Sequence, residues 1–162
     1  MKRLLIFLAI LLSLFGSQEL YAQIPNLTLR DINGKSVNIQ QLCNSGKPTI
    51  ISFFATWCKP CLRELNAIAD VYDDWQDATG VNIIAVSIDR AQDVEKVKPL
   101  VDGNNWDYLV LLDTNNELMR LMQVQAVPHL FVIDGKGKII EQHNGYTDGE
   151  ETNLYKTLLR IK

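Results

Sequence analysis

Histidine, cysteine and basic charge are all scarce in this chain, and each scarcity narrows what it can do. The chain has only His129, His143 and three cysteines (Cys43, Cys58, Cys61); a zinc site built on Cys58 and Cys61, which wants four ligands, would have only the two histidines left to complete it. Lys and Arg number 16 against 19 Asp and Glu, with no basic cluster, so nucleic acid is not an expected partner. Internal repeats, a collagen-like period and low-complexity tracts are absent, which excludes fibrous, solenoid and disordered classes. The longest apolar run, Leu4 to Phe15, falls short of the ~18–20 residues of a spanning helix. No cysteine closely follows that run, which argues against a lipid-modified N-terminus.

What is present begins with Lys2 and Arg3, then that apolar run, then a small residue at Ala22. This order predicts a secretory signal over residues 1–22 and one domain over 23–162. The alternative is an uncleaved segment that anchors the protein to a membrane. Removing residues 1–22 leaves 14 basic against 18 acidic side chains, a net charge of −4. Export places the protein outside the cytoplasm, in a bacterial periplasm, where a cysteine pair can persist as a disulfide.

Ile24 to Asp31 alternates as a strand, Asn33-Gly34 marks a turn, and Val37 to Ile39 can pair back as a hairpin. Gln40 to Leu42 reads as a short helical turn before a loop. Thr49 to Ala55 and Val81 to Ile88 are apolar and β-branched, the pattern of strands buried on both faces. The spacing of Leu62, Leu65, Ile68, Ala69, Tyr72 and Trp75 predicts one helix over Cys61–Trp75, ended by Gly80. Asp89 to Val101 shows helical spacing, kinked or shortened by Pro99. Tyr108–Leu112 reads as a strand and Asn116–Met122 as a helix. Leu130–Ile133 and Lys138–Gln142 form a hairpin, and Gly149–Ile161 is an amphipathic helix. Strands alternating with helices predict a three-layer α/β/α sandwich with a mixed central sheet and an N-terminal β-hairpin extension.

The chain is organised around Phe53-Phe54-Ala55-Thr56-Trp57-Cys58-Lys59-Pro60-Cys61. Two cysteines three apart across the first turn of a helix lie ~5–6 Å apart, a separation a disulfide tolerates. Cys58 falls at a helix N-terminus, where unpaired N–H groups and the dipole favour a thiolate; Lys59 adds a cation. Cys58 is therefore expected to be accessible and reactive, and Cys61 more buried. A purely structural bridge would close too short a loop to stabilise the fold much. Trp57 is placed to shield the disulfide and contact substrates. A Cu(I) site from Cys58, Cys61 and His129 is an alternative on grounds of ligand softness. Both histidines read more simply as strand residues, and Cys43 as a partly buried loop residue, although an odd cysteine can also pair with a partner.

The stretch Trp57-Cys58-Lys59-Pro60-Cys61 resembles the WCxPC active site of the thioredoxin superfamily, and Val127-Pro128 resembles the cis-proline loop that faces it. With export, the N-terminal hairpin and the extra helix at Asp89–Val101, the chain is most similar to the TlpA/ResA-type branch of extracytoplasmic thiol–disulfide oxidoreductases. The resemblance implies a thioredoxin-like fold and disulfide exchange with exported proteins in the direction of reduction, which the residues alone do not fix, with no cofactor. It also implies protein thiol or disulfide substrates, a membrane or exported redox partner, and a monomer. It implies a cis Val127–Pro128 bond, with the Val127 backbone free to pair with an extended substrate. The chain departs from thioredoxin itself at Ser52, where a buried Asp would stand, and at Lys59. Glu64 matches the branch's Cys-x-x-Cys-x-x-Glu, whereas Asn66 replaces a proline common just beyond it. One helical turn past Cys61, Glu64 is expected to be partly buried, with a raised pKa, and to take the Cys61 proton. A thiol peroxidase on the same fold is the other enzymatic alternative, but its Thr-x-x-Cys is replaced here by Ala55.

Overall fold

The computed structural model describes residues 23–162; the expected signal over residues 1–22 lies outside the described residues. Seven strands form one sheet: β1 Thr28–Asp31, β2 Ser36–Asn38, β3 Thr49–Phe54, β4 Asn82–Ser87, β5 Leu109–Leu112, β6 His129–Ile133 and β7 Ile139–Asn144. Their spatial order is β2-β1-β5-β4-β3-β6-β7. The parallel set β3, β4 and β5 is flanked by antiparallel pairings of β1 with β5 and β6 with β3. The sheet is mixed, as expected, and the hairpin β1–β2 extends one edge.

Strand alternation divides the core in two. Ile50 and Phe54 of β3, Ile83 and Ala85 of β4 and Leu130 and Val132 of β6 face one side. That side is covered by α2 Lys59–Ala69, α3 Tyr72–Thr79, α4 Val97–Gly103 and α6 Glu151–Ile161. Ile51, Phe53, Ile84, Val86 and Phe131 face the other, under α1 Ile39–Cys43 and α5 Glu117–Leu121. Every residue of β3 is buried, because it lies inside the sheet and between both helical layers. Ser52 shares the parity of Ile50 and Phe54, so its hydroxyl is forced onto the α2 side.

Three local expectations are corrected. The helix foreseen over Cys61–Trp75 is two helices, interrupted at Asp70–Val71, where Val71 leaves the helical region (φ −121°, ψ 2°). The break lets Trp75 stack on Tyr155 of α6, with ring centroids 6.0 Å apart. Tertiary packing thus overrides a continuous apolar period. Gly80 closes α3 as foreseen, in the left-handed conformation (φ 71°) that a side chain disfavours. The segment from Asp89 to Asp93 is not helical; a 3-10 turn at Val94–Lys96 precedes α4. Pro99 falls in the first turn of α4, where its missing N–H costs nothing. Finally, Cys43 is not in a loop but ends α1, fully buried in the second core.

Burial pushes the Cys43 thiol up to about 12, so it stays protonated and inert. In dithiothreitol-reduced native protein, a thiol reagent near neutral pH is expected to modify Cys58 first and to spare Cys43 until the chain is denatured. Mass spectrometry of the labelled peptides reads both; labelling of native Cys43 at the rate of Cys58 would contradict its burial.

Candidate active site

β3 ends at Phe54 and the chain turns through Ala55–Trp57 into α2. Cys58 is the N-cap of that helix, in extended backbone (φ −91°, ψ 93°), and its Sγ accepts the Cys61 N–H at 3.3 Å. Cys58 and Cys61 are joined as a disulfide, with Cα atoms 5.3 Å apart, inside the range that helical spacing predicted. Cys58 keeps 6% of its surface exposed and Cys61 none. Access follows the expected order, although Cys58 is more enclosed than foreseen. Trp57, by contrast, is 69% exposed beside it, since the turn carries its ring off the core.

The α2 residues that face the sheet are Cys61, Glu64, Leu65 and Ile68, one stripe at 3.6-residue spacing. Glu64 is buried more deeply than expected, at 2% exposure. Its Oε2 accepts the Ser52 hydroxyl at 2.5 Å. Burial pushes the Glu64 carboxyl up to about 7; the Ser52 hydrogen bond opposes this and the charge of Glu150 adds to it. Ser52, at the position where thioredoxin's carboxylate would stand, thus receives a carboxyl from the facing helix instead. Two further contacts fix the register of that helix: Trp106 Nε1 donates to Asn66 Oδ1 at 2.7 Å and Tyr108 Oη to the Leu65 carbonyl at 3.1 Å.

The Val127–Pro128 peptide is cis. β6 pairs with β3 through Phe53↔His129, so continuing the register sets Pro128 beside Phe54 and Val127 beside Ala55, at the start of the cysteine turn. Val127 packs against the core that contains both cysteines. The Pro128 carbonyl is engaged by Gly145 N–H at 2.9 Å. No backbone hydrogen bond engages the Val127 N–H or C=O among the described residues.

One residue of the site escaped the sequence reading. Asp89, 1% exposed, accepts from the Thr56 N–H at 2.9 Å and the Thr56 hydroxyl at 2.7 Å, and from the Ser87 hydroxyl at 2.9 Å. It clamps the turn that carries Trp57 and Cys58 to the end of β4. Its only signal in sequence was a polar Ser87-x-Asp89 at the end of an otherwise apolar strand.

The histidines take no part in this arrangement. His129 and His143 are strand residues; burial lowers the His129 pKa, and His143 Nε2 lies 2.7 Å from Glu141 Oε1. Among the described residues no three His, Cys, Asp or Glu side chains converge, so the Cys58, Cys61 and His129 set foreseen for Cu(I) is not assembled.

Comparison with known proteins agrees with this geometry. The AhpC/TSA family matches residues 21–142. The thiol-disulfide oxidoreductase ResA of Bacillus thuringiensis subsp. konkukian (strain 97-27) is 30% identical over 137 residues, covering 85% of this chain and 76% of the relative. The sporulation thiol-disulfide oxidoreductase A of Bacillus subtilis (strain 168) is 27% identical over 159 residues, covering 93% of this chain and 94% of the relative. Among solved structures, a thioredoxin-like protein from Porphyromonas gingivalis is 57% identical, with a TM-score of 0.75 over 87% of this chain and 92% of that one.

Proposed function

The chain belongs to the AhpC/TSA family and is a thiol–disulfide oxidoreductase of thioredoxin-like fold; from that premise we propose that it reduces disulfides of exported proteins outside the cytoplasm. The observation that carries this reading is the Cys58–Cys61 disulfide at the N-terminus of α2, with Cys58 as the only member that keeps any surface. In the reduced enzyme the Cys58 thiolate, favoured by the helix terminus, attacks one substrate sulfur. The other sulfur leaves as a thiolate and takes a proton. Cys61 then attacks the Cys58 sulfur and releases the second substrate thiol. The substrate gains two electrons and two protons, and the Cys58–Cys61 dithiol loses them.

Glu64 accepts the proton of Cys61 in the resolving step, because it lies one turn away, buried, with a carboxyl near neutrality. The same carboxyl opposes negative charge on the reduced pair. It thereby limits the thiolate stabilisation that makes such pairs strong oxidants, which supports reduction as the working direction. Trp57 and the Val127 backbone beside Pro128 hold an extended substrate segment. A membrane or exported dithiol partner would then reduce the enzyme again. Peroxidase chemistry lacks support at the residue three before Cys58, since Ala55 is buried and offers no hydroxyl.

Cys61→Ser leaves the attack intact and removes its resolution. In a periplasmic or culture-supernatant fraction this variant is expected to capture exported proteins covalently, as adducts released by dithiothreitol. Cys58→Ser should capture none. Capture through Cys61 in the Cys58→Ser variant, or no adducts with either, would overturn the assignment.

A further inference from the structure

A groove of about 360 Å³ lies on the β4 side of Trp57, lined by Trp57, Ile88, Arg90, Asp93, Asn116 and Met119. It sits where the parallel strands β3, β4 and β5 all end. The chain leaves β4 toward the α4 face and β5 toward the α5 face, so the groove occupies the crevice that such a divergence opens at the carboxyl ends of strands. It is on the opposite side of the cysteine turn from the Val127–Pro128 loop, because β3 pairs with β4 on one edge and β6 on the other.

Resting on the reading that this chain exchanges disulfides with proteins, we propose that this groove holds the segment flanking the substrate's reactive cysteine and selects acidic segments over basic ones. Its walls are apolar: Trp57 is 69% exposed, and Ile88 and Met119 are half-buried. Of its two charged lining residues, only the cation is free. Asp93 is already paired with Lys96, whereas the side chain of the exposed Arg90 enters no ion pair or hydrogen bond among the described residues. An Arg fork free of partners fits a substrate carboxylate. The groove also holds an unmet acceptor. The Asn116 side-chain oxygen is buried with no hydrogen-bond partner, which a substrate backbone N–H would satisfy. An extended segment whose cysteine reaches Cys58 therefore finds an apolar wall, a backbone acceptor and a cation on this side.

The test uses two disulfide-cyclised peptides of one sequence, differing only in carrying glutamates or lysines beside the cysteines. Reduced wild-type protein is expected to reduce the glutamate peptide about fivefold faster at low salt, and added salt should shrink the ratio. Arg90→Glu should invert the preference; Arg90→Gln should bring the ratio near one. A merely structural role for Arg90 would lower both rates together and leave their ratio unmoved. Equal wild-type rates on the two peptides, or an Arg90→Glu ratio like the wild type's, would overturn the groove assignment. Hydroxyethyl disulfide, neutral and too small to reach the groove, separates the levels. Its reduction by wild-type protein with no peptide preference sinks the groove alone. Failure to reduce it sinks the redox reading and the groove with it.

Discussion

Glu64→Gln is expected to slow the resolution of mixed disulfides on the order of 100-fold above neutral pH, while making the folded protein more stable there. Both effects come from one buried carboxyl. Its pKa is raised from an ordinary 4.5 to about 7, chiefly by burial. A raised carboxyl binds its proton more tightly folded than unfolded. Its favourable contribution is therefore complete below the unfolded value and is lost as pH rises through the folded one. Across that window the native state gives up about 3 kcal/mol relative to the unfolded chain.

Glutamine keeps the size and still offers an oxygen to the Ser52 hydroxyl, but it never ionises. In urea unfolding the variant should match wild type in mild acid and exceed it above neutrality. Its disulfide exchange should lose the wild-type rise in rate as pH climbs through about 7. In the reverse direction, the leaving Cys61 thiolate takes a proton from Glu64, so wild-type oxidation of dithiols should decline over the same range. A variant with wild-type rates across the pH range would show that water takes the Cys61 proton. Equal stabilities above and below neutrality would show that Glu64 is not held in its neutral form.

Asp89→Ala should destabilise the protein by about 3 kcal/mol and blunt its activity as well. The substitution leaves three donors without an acceptor: the Thr56 N–H, the Thr56 hydroxyl and the buried Ser87 hydroxyl. Stranded buried donors cost about 1–3 kcal/mol each, less where the freed turn can reach water. Thr56 is two residues from Cys58, so loosening it also frees Trp57 and the turn that presents the sulfur. Asp89→Asn retains one acceptor oxygen and should recover part of both losses. Thermal unfolding with rates on hydroxyethyl disulfide reads the two together. If Asp89→Ala unfolds at the wild-type temperature, the clamp contributes nothing, and the turn is held by its own backbone.

Much of this arrangement can be read from the sequence, because it is local. A run of apolar β-branched residues over Thr49–Phe54 dictates a buried strand. Two cysteines three residues apart at a helix start dictate a pair that can close. Hydrophobic periods and hairpin turn signals together mark the strands and most of the helices among the described residues. Val127-Pro128 ahead of a strand marks the facing loop, and its cis bond is present. Tertiary structure decided the rest, since it depends on which face of one element meets which face of another.

The parity of β3 turned Ser52 toward α2, and only there could Glu64 find it, 12 residues along the chain. The helix that the apolar period would have continued breaks at Asp70–Val71, and beyond the break Trp75 stacks on Tyr155. Thr56 and Asp89 lie 33 residues apart and meet because β3 and β4 are parallel neighbours that end side by side. Local sequence dictates the hydrogen-bonding and hydrophobic period of each segment. Buried polar partners are chosen only when the segments pack, because burial is what makes an unpaired carboxyl or hydroxyl costly.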